Sequence, residues 1–231
     1  MSKADLRIDW ATHAAAKYAC EHWHYSKVAP VGKTVKLGVW ESGKFIGVVM
    51  FNRQGIDLAS AYGIKKTESC ELVRIALGNH KTEVSRIISI CCKMLKRNNT
   101  GIRLIVSFAD MAQDHHGGVY QASNWVYSGT TGKSTVYLYK GKRLHSRMVR
   151  KNGSRIDFGK TVKCPRPQDC EKVEEPGKHR YLMPLDDEMR AKIAPLAKPY
   201  PKRDKQAMAE SPSAQRQCNT DRHAPSSARG D

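Results

Sequence analysis

The sequence predicts an α+β fold: a mixed, mainly antiparallel central sheet flanked by helices. Three observations predict it. VKLGVWESGKFIGVVMF (35–51) reads as two strands joined by a tight turn at Ser42-Gly43. CELVRIAL (70–77) and RLIVSF (103–108) are apolar, β-branched runs of strand length. Between them EVSRIISICCKMLKR (83–97) places Val84, Ile87, Ile88, Cys91 and Leu95 on one face, the stripe of an amphipathic helix that covers a sheet.

The other elements follow in order. Residues 8–22, IDWATHAAAKYACEH, carry apolar residues at helical spacing and predict a first helix. HWHYSKVAPVGK (22–33) is a loop punctuated by Pro30 and Gly32. After the hairpin, strand 70–77 and helix 83–97, the pair Asn98-Asn99 with Gly101 stops the helix. RLIVSF is the most apolar strand and is placed centrally. A short helix follows Gly117-Gly118, then strands at VYSG (126–129) and TVYLYKGKRL (135–144). The pattern weakens from Pro184. Residues 1–187 are assigned to one catalytic domain and 188–231, rich in Pro, Ser and Lys, to a basic, flexible tail. No internal repeat is present.

The chain of 231 residues has 40 Lys+Arg against 22 Asp+Glu, a net charge of +18. Residues 188–231 hold nine basic and five acidic side chains, so +14 of that charge lies in 1–187. A folded part this basic implies a polyanionic partner, and nucleic acid is the first choice. No apolar run is long enough for a bilayer, and MSKADLRIDW lacks an apolar signal core, so no membrane partner and a cytosolic location are expected. The seven cysteines are irregularly spaced, and Cys91-Cys92 share a helical pattern, so they read as reduced and structural.

The densest chemistry lies in SFADMAQDHHGGVYQASNW (107–125), which leaves the end of a buried strand and turns into a helix. In open α/β sheets ligands bind at that strand end. Asp110 suits a base or an amine contact, and equally an N-cap. His115 and His116 suit a base, a metal ligand or a phosphate contact; one of an adjacent pair normally faces solvent, and His116 is taken as that one. Tyr120 suits a general acid, although a tyrosine bonded to a carbonyl is the commoner arrangement. Asn124, at i+4, is expected on the same helix face as Tyr120.

Outside that window, His22, Trp23, His24 and Tyr25 form an aromatic loop able to stack bases or cover a site. Arg74 sits inside an apolar strand and needs a partner. Strict alternation sends Glu71 to the opposite face, which leaves Asp110. Residues 140–155, KGKRLHSRMVRKNGSR, hold seven Lys or Arg and no acid. Lys142, Arg143, Arg147, Arg150, Lys151 and Arg155 are the candidate phosphate contacts, which position DNA without reading its sequence.

The element order resembles the GNAT acyltransferase superfamily, in which donor and acceptor meet where two central strands part, here CELVRIAL and RLIVSF. HYSKVAPVGK, GVWESGKFIGVVMF, ELVRIAL, SFADMAQDHHGGVYQASNWVYSG and KHRYLMPLD together resemble the Mom family of phage DNA-modification proteins, over about residues 20–187. The resemblance implies a GNAT-like fold and a transferase of the host cytoplasm. It implies conversion of adenine in double-stranded DNA to N6-carbamoylmethyladenine, which protects phage DNA from restriction. It places functional positions at His24, Tyr25, Arg74, Ser107, Asp110, His115, Tyr120 and Asn124.

One departure bears on the donor. Where GNAT enzymes carry a glycine-rich pyrophosphate loop before the central helix, this chain reads LGNHKTEVS with only Gly78, although a helix N-terminus can still hold phosphate through free N–H groups. Two donors are weighed: a glycyl donor such as glycyl-tRNA, which adds tRNA as a partner, or acetyl-CoA with a redox metal such as iron, held by His24 and His115. The competing functions are a non-catalytic nucleic-acid-binding protein and an ordinary acetyl-CoA-dependent N-acetyltransferase. Oligomeric state, a homodimer included, is left open.

Overall fold

A computed structural model describes residues 5–53, 59–157 and 159–202, with the side chains of His145 and Arg147 also outside the description. In chain order the elements are β1 (Leu6–Trp10), α1 (His13–Trp23), β2 (Thr34–Glu41), β3 (Lys44–Asn52), β4 (Ser69–Leu77), α2 (Val84–Asn98), β5 (Leu104–Asp110) and α3 (Gly118–Gln121). Then come β6 (Val126–Thr130), β7 (Ser134–Tyr139), β8 (Lys142–His145), β9 (Ser154–Asp157), β10 (Lys160–Lys163), β11 (Glu171–Glu175), β12 (Lys178–Pro184) and α4 (Asp187–Ile193). The main sheet has seven strands in the order β1-β2-β3-β4-β5-β12-β6. All its pairings are antiparallel except β4 with β5. A three-stranded sheet, β11-β7-β8, and a two-stranded ribbon, β9–β10, stand apart from it. The class is α+β with a mainly antiparallel sheet, as the sequence predicts.

Local chemistry explains the helices. Thr12 caps α1, its side chain accepting the Ala15 N–H, and Ala16, Ala19 and Cys20 pack on Val48, Met50 and Ala76. The first helix therefore begins at residue 13, not 8. Residues 6–10 form an edge strand because β2 offers them a ladder, with Trp10 opposite Leu37. On the other face α2 buries Ile87, Ile88, Cys91, Cys92 and Leu95 against Phe51, Leu72 and Ile105. Each such aliphatic chain contributes about 1.5–3 kcal/mol on burial. The described cysteines are all free. No described helix is long and apolar enough to cross a membrane.

The largest departures lie in the last third. β9 to β12 were not foreseen, and β12 lies between β5 and β6 with Tyr181 and Leu182 fully buried. The boundary expected at 187 is also too early. Asp186 caps α4 by accepting the Met189 N–H, and Met189 and Ile193 are buried against Leu104, Val106 and Leu182. Tyr200 still reaches the core, its hydroxyl donating to the Trp125 carbonyl at 2.8 Å. The compact unit runs to Tyr200. The rest of the expected tail, 203–231, lies outside the described residues.

Two irregularities in β4 shape the site. Its parallel ladder with β5 runs only from Ser69–Leu104 to Leu72–Ser107, although both strands continue, so the strands part there. Against β3, Phe51 pairs with Leu72 but Met50 pairs with Arg74, which leaves Val73 as an extra residue, a β-bulge.

Candidate active site

The bulge reverses the alternation of β4. Asn52 and Met50, two apart on β3, share a face, and their partners are Glu71 and Arg74. Glu71 and Arg74 therefore stand on one face, the α1 side, and the expectation that Glu71 points away from Arg74 is overturned. Burial pushes the Glu71 carboxyl up, with Lys178 and Arg74 pulling it down. Arg74 does not pair with Asp110. Its Nη1 donates to the Val73 carbonyl at 2.9 Å, and its buried Nε has no hydrogen-bond partner. A buried donor without a partner costs about 1–3 kcal/mol, so it stands ready for an oxygen that the protein does not supply.

Where β4 and β5 part, Ser107 bridges the gap. Its Oγ lies 2.8 Å from the Leu72 carbonyl and 2.8 Å from the Tyr120 hydroxyl. A carbonyl only accepts, so the single Ser107 proton goes to Leu72, and Tyr120 donates its own to Ser107. Tyr120 is buried against Trp125 and Tyr181. Burial pushes its pKa up to about 12, opposed by the Ser107 bond, so the phenol is protonated at neutral pH. Gly117 permits this packing. Its φ is +81°, and a Cβ there would lie inside the Tyr181 ring. The Tyr181 hydroxyl donates to the His116 carbonyl at 2.5 Å, and Gln121 Nε2 donates to Tyr181 at 3.1 Å.

Asp110 ends β5. It accepts the Ala112 N–H at 3.1 Å, the N-cap role, and pairs with Lys178 Nζ at 3.3 Å across the β5–β12 ladder. Beside them Arg143 on β8 forms a two-pronged ion pair with Glu175 on β11. The fields of Asp110 and Tyr25 reach Arg143, so the second sheet borders the site. The sequence offered Arg143 as a free phosphate contact; Glu175 already holds it.

The aromatic loop covers this cluster. Tyr25, half exposed, has the His24 ring at 4.3 Å and the His115 ring edge-on at 5.3 Å. Burial, then Arg74, His115 and Lys27, hold the His24 pKa down to about 4, so it is neutral. The Ser26 N–H donates to His24 Nδ1 at 3.1 Å, which places the ring proton on Nε2. Desolvation also lowers the His115 pKa, against the pull of Asp110 and Asp114. The candidate metal pair does not fit an iron site. His24 Nε2 carries the proton, and no three His, Cys, Asp or Glu converge among the described residues.

Several expected positions lie elsewhere. α3 ends at Gln121, so Asn124 is not on a helix face with Tyr120. It is exposed, at φ 58°, in the left-handed turn that asparagine tolerates. Of the histidine pair His115 is the exposed member, and His116 is the half-buried one. Lys142, Arg150 and Lys151 are exposed as expected. Arg155 is paired with Asp157, and the side chain of Arg147 lies outside the described residues. The members that sequence reasoning missed are Glu71, Lys178 and Glu175.

A carboxylate stands before the entry to α2. Glu41 accepts the Lys81 N–H at 2.9 Å, the Thr82 N–H at 2.7 Å and the Thr82 hydroxyl at 2.6 Å. The Thr82 hydroxyl and these N–H groups hold its pKa low. Two amides before the helix that a pyrophosphate could use are thus taken by an internal carboxylate.

A family model described as the Mom protein family matches residues 5–202. The protein described as methylcarbamoylase mom, from Escherichia phage Mu, is similar at 24% identity over 209 residues, covering 86% of this chain and 84% of that one. Among solved structures, a Bacillus subtilis acetyltransferase in complex with CoA is similar at 11% identity and TM-score 0.42, over 80% of this chain and 100% of that one. An N-acetyltransferase from Staphylococcus aureus Mu50 is similar at 11% identity and TM-score 0.41, over 79% and 99% of the two chains.

Proposed function

The chain belongs to the Mom protein family, and from that premise we propose that it is a transferase of the host cytoplasm that converts adenine in double-stranded DNA to N6-carbamoylmethyladenine, shielding phage DNA from restriction. The observation that carries the reading is the cluster at the parted strands: a half-buried carboxylate, Glu71, on one face with Arg74 and its free Nε, and the protonated Tyr120 across the gap. A protein that only binds nucleic-acid backbone has no use for it. The likeness to a protein described as a methylcarbamoylase supports the substrate class.

The exocyclic amine of adenine is a weak nucleophile inside a base stack, so the base must be extruded to react, at a cost of about a few kcal/mol. Tyr25, half exposed beside His24 and His115, is the stacking surface for it. The proposed donor is a glycyl ester such as glycyl-tRNA, a second nucleic acid suited to a charge of +18. The amine attacks the glycyl carbonyl, Glu71 takes the amine proton, Arg74 Nε donates to the developing oxyanion, and Tyr120 protonates the departing ester oxygen. The N6-glycyl adenine so formed is an isomer of the product. Its free amine attacks the same ring carbon, the bond from that carbon to the original nitrogen breaks, and that nitrogen leaves as the terminal amide. No oxidant is consumed. An acetyl donor would need both an oxidant and a further nitrogen, and no three metal-ligating side chains converge among the described residues.

The test is nucleoside mass spectrometry on DNA from cells expressing the chain, with Glu71→Gln as control. Adenine labelled at its exocyclic nitrogen should place label in the carboxamide. Label kept on the ring-attached nitrogen would refute the glycyl route, and unmodified DNA would refute the function.

A further inference from the structure

The ribbon β9–β10 belongs to neither larger sheet. Four residues per strand carry it about 13 Å out. Its base is closed by the Cys164 N–H donating to the Gly153 carbonyl at 2.9 Å and the Arg150 N–H donating to the Pro165 carbonyl at 3.1 Å. Residues 150–166 hold six Lys or Arg and one acid, Asp157. That acid is neutralised by Arg155, which also donates to Met148 Sδ at 2.7 Å. Lys160 and Lys163 are exposed.

On this basic ribbon Ile156 is 77% exposed. Register places it opposite Thr161, on the face that also carries Ser154 and Lys163, so no described apolar residue of the ribbon shares its face. Val162, 37% exposed, lies opposite Arg155 on the reverse face and cannot pack with it. An isolated branched apolar side chain held out on a cationic ribbon is poorly suited to protein docking, which needs a contiguous patch. It is suited to polyanionic duplex. The ribbon follows β8 in the chain, and Arg143 of β8 lies within the fields of Asp110 and Tyr25.

We propose that β9–β10 is a DNA-deforming arm: Lys160, Lys163 and Arg166 hold phosphates, and Ile156 wedges between adjacent base pairs to help release the target base. This deepens the proposed DNA modification and rests on it for the role of the wedge, but not for the wedge itself. Apolar wedges of this kind unstack a step and kink the duplex.

The experiment relaxes closed circular plasmid with a topoisomerase in the presence of the full chain and counts the superhelical turns retained, beside equilibrium binding of a linear duplex at several salt concentrations. The wild type should unwind the plasmid. Ile156→Ala, at an exposed site that folding does not depend on, should lose at least fivefold in unwinding and less than threefold in affinity. Lys160→Ala with Lys163→Ala should lose affinity and reduce the salt slope by about two, near 0.9 per phosphate contact. Failure of the wild type to unwind, equal unwinding by Ile156→Ala, or a change confined to the sedimentation of the free protein, as for a contact between copies, would overturn the arm. Unwinding without modified adenine would instead count against the proposed reaction and leave the arm standing.

Discussion

Glu71 and Arg74 face the same side of β4 although they lie three positions apart, because Val73 is an extra residue in the ladder with β3. Without the bulge, alternation would put one of the two charges against α2 and the apolar core. With it, a carboxylate and a guanidinium stand on one face of β4, next to where β4 and β5 part. Bulges re-aim side chains next to active sites in this way.

Glu71→Gln keeps shape and removes the base. Modified adenine per DNA should fall by about 10²–10⁴-fold, the span of general acid–base catalysis. The fold should be intact, since burial opposes the charge that the substitution removes. Circular dichroism and nucleoside mass spectrometry read the two effects separately. Undiminished modification would remove Glu71 from the mechanism.

Lys178→Met tests the environment of that carboxylate. Lys178 pulls the Glu71 pKa down against burial. Without it the pKa rises further, and the reactive carboxylate appears only at higher pH. The acid limb of the kcat/KM profile should therefore move to higher pH. A merely structural Lys178 would lower the rate at every pH without moving the limb.

Tyr120→Phe should abolish the proton donor while keeping the ring against Trp125 and Tyr181. Activity should fall by about 10²-fold or more. The stability cost should be only about 1 kcal/mol, because Ser107 keeps its bond to the Leu72 carbonyl. Ser107→Ala removes the partner of that carbonyl and of the buried phenol, and should cost more, about 1–3 kcal/mol. Urea denaturation of the two variants decides the order. With a phenol pKa pushed up to about 12, no alkaline limb near neutrality should belong to Tyr120.

What was legible in the chain was local. The hairpin announces itself through Ser42-Gly43, both at positive φ. α2 shows its stripe, and Tyr120 meets Ser107 because only a short turn separates strand from helix. β12 could not be read. KHRYLMP is short, charged at one end and closed by proline, and its place between β5 and β6 is set by pairing with residues far away in sequence. Nor could the bulge, because strict alternation is the rule that it breaks. The signal was there in weak form: two charges three apart in an otherwise apolar strand. Asn124 was misplaced because α3 is a single turn, and asparagine after such a turn is itself a mark of left-handed backbone.

Glu41→Gln tests the carboxylate before the entry to α2. A carboxylate offers acceptors to all three donors, the Lys81 and Thr82 N–H groups and the Thr82 hydroxyl. A glutamine must turn its own NH₂ toward one of them, so two donors face each other and the first turn of α2 loosens. Tm should fall. The loss depends on pH with a definite sign. The native pKa of Glu41 lies below its ordinary value of 4.5, so its stabilisation is fully present above that value and is lost as pH falls through the native pKa. The Tm gap between wild type and variant should be constant near neutrality and close in acid. A gap that stays open under acid conditions would mean that shape, not charge, holds the turn. Neither protein should show a thermal shift with coenzyme A if these amides are its missing anchor; a shift for the wild type would place a nucleotide donor back at α2.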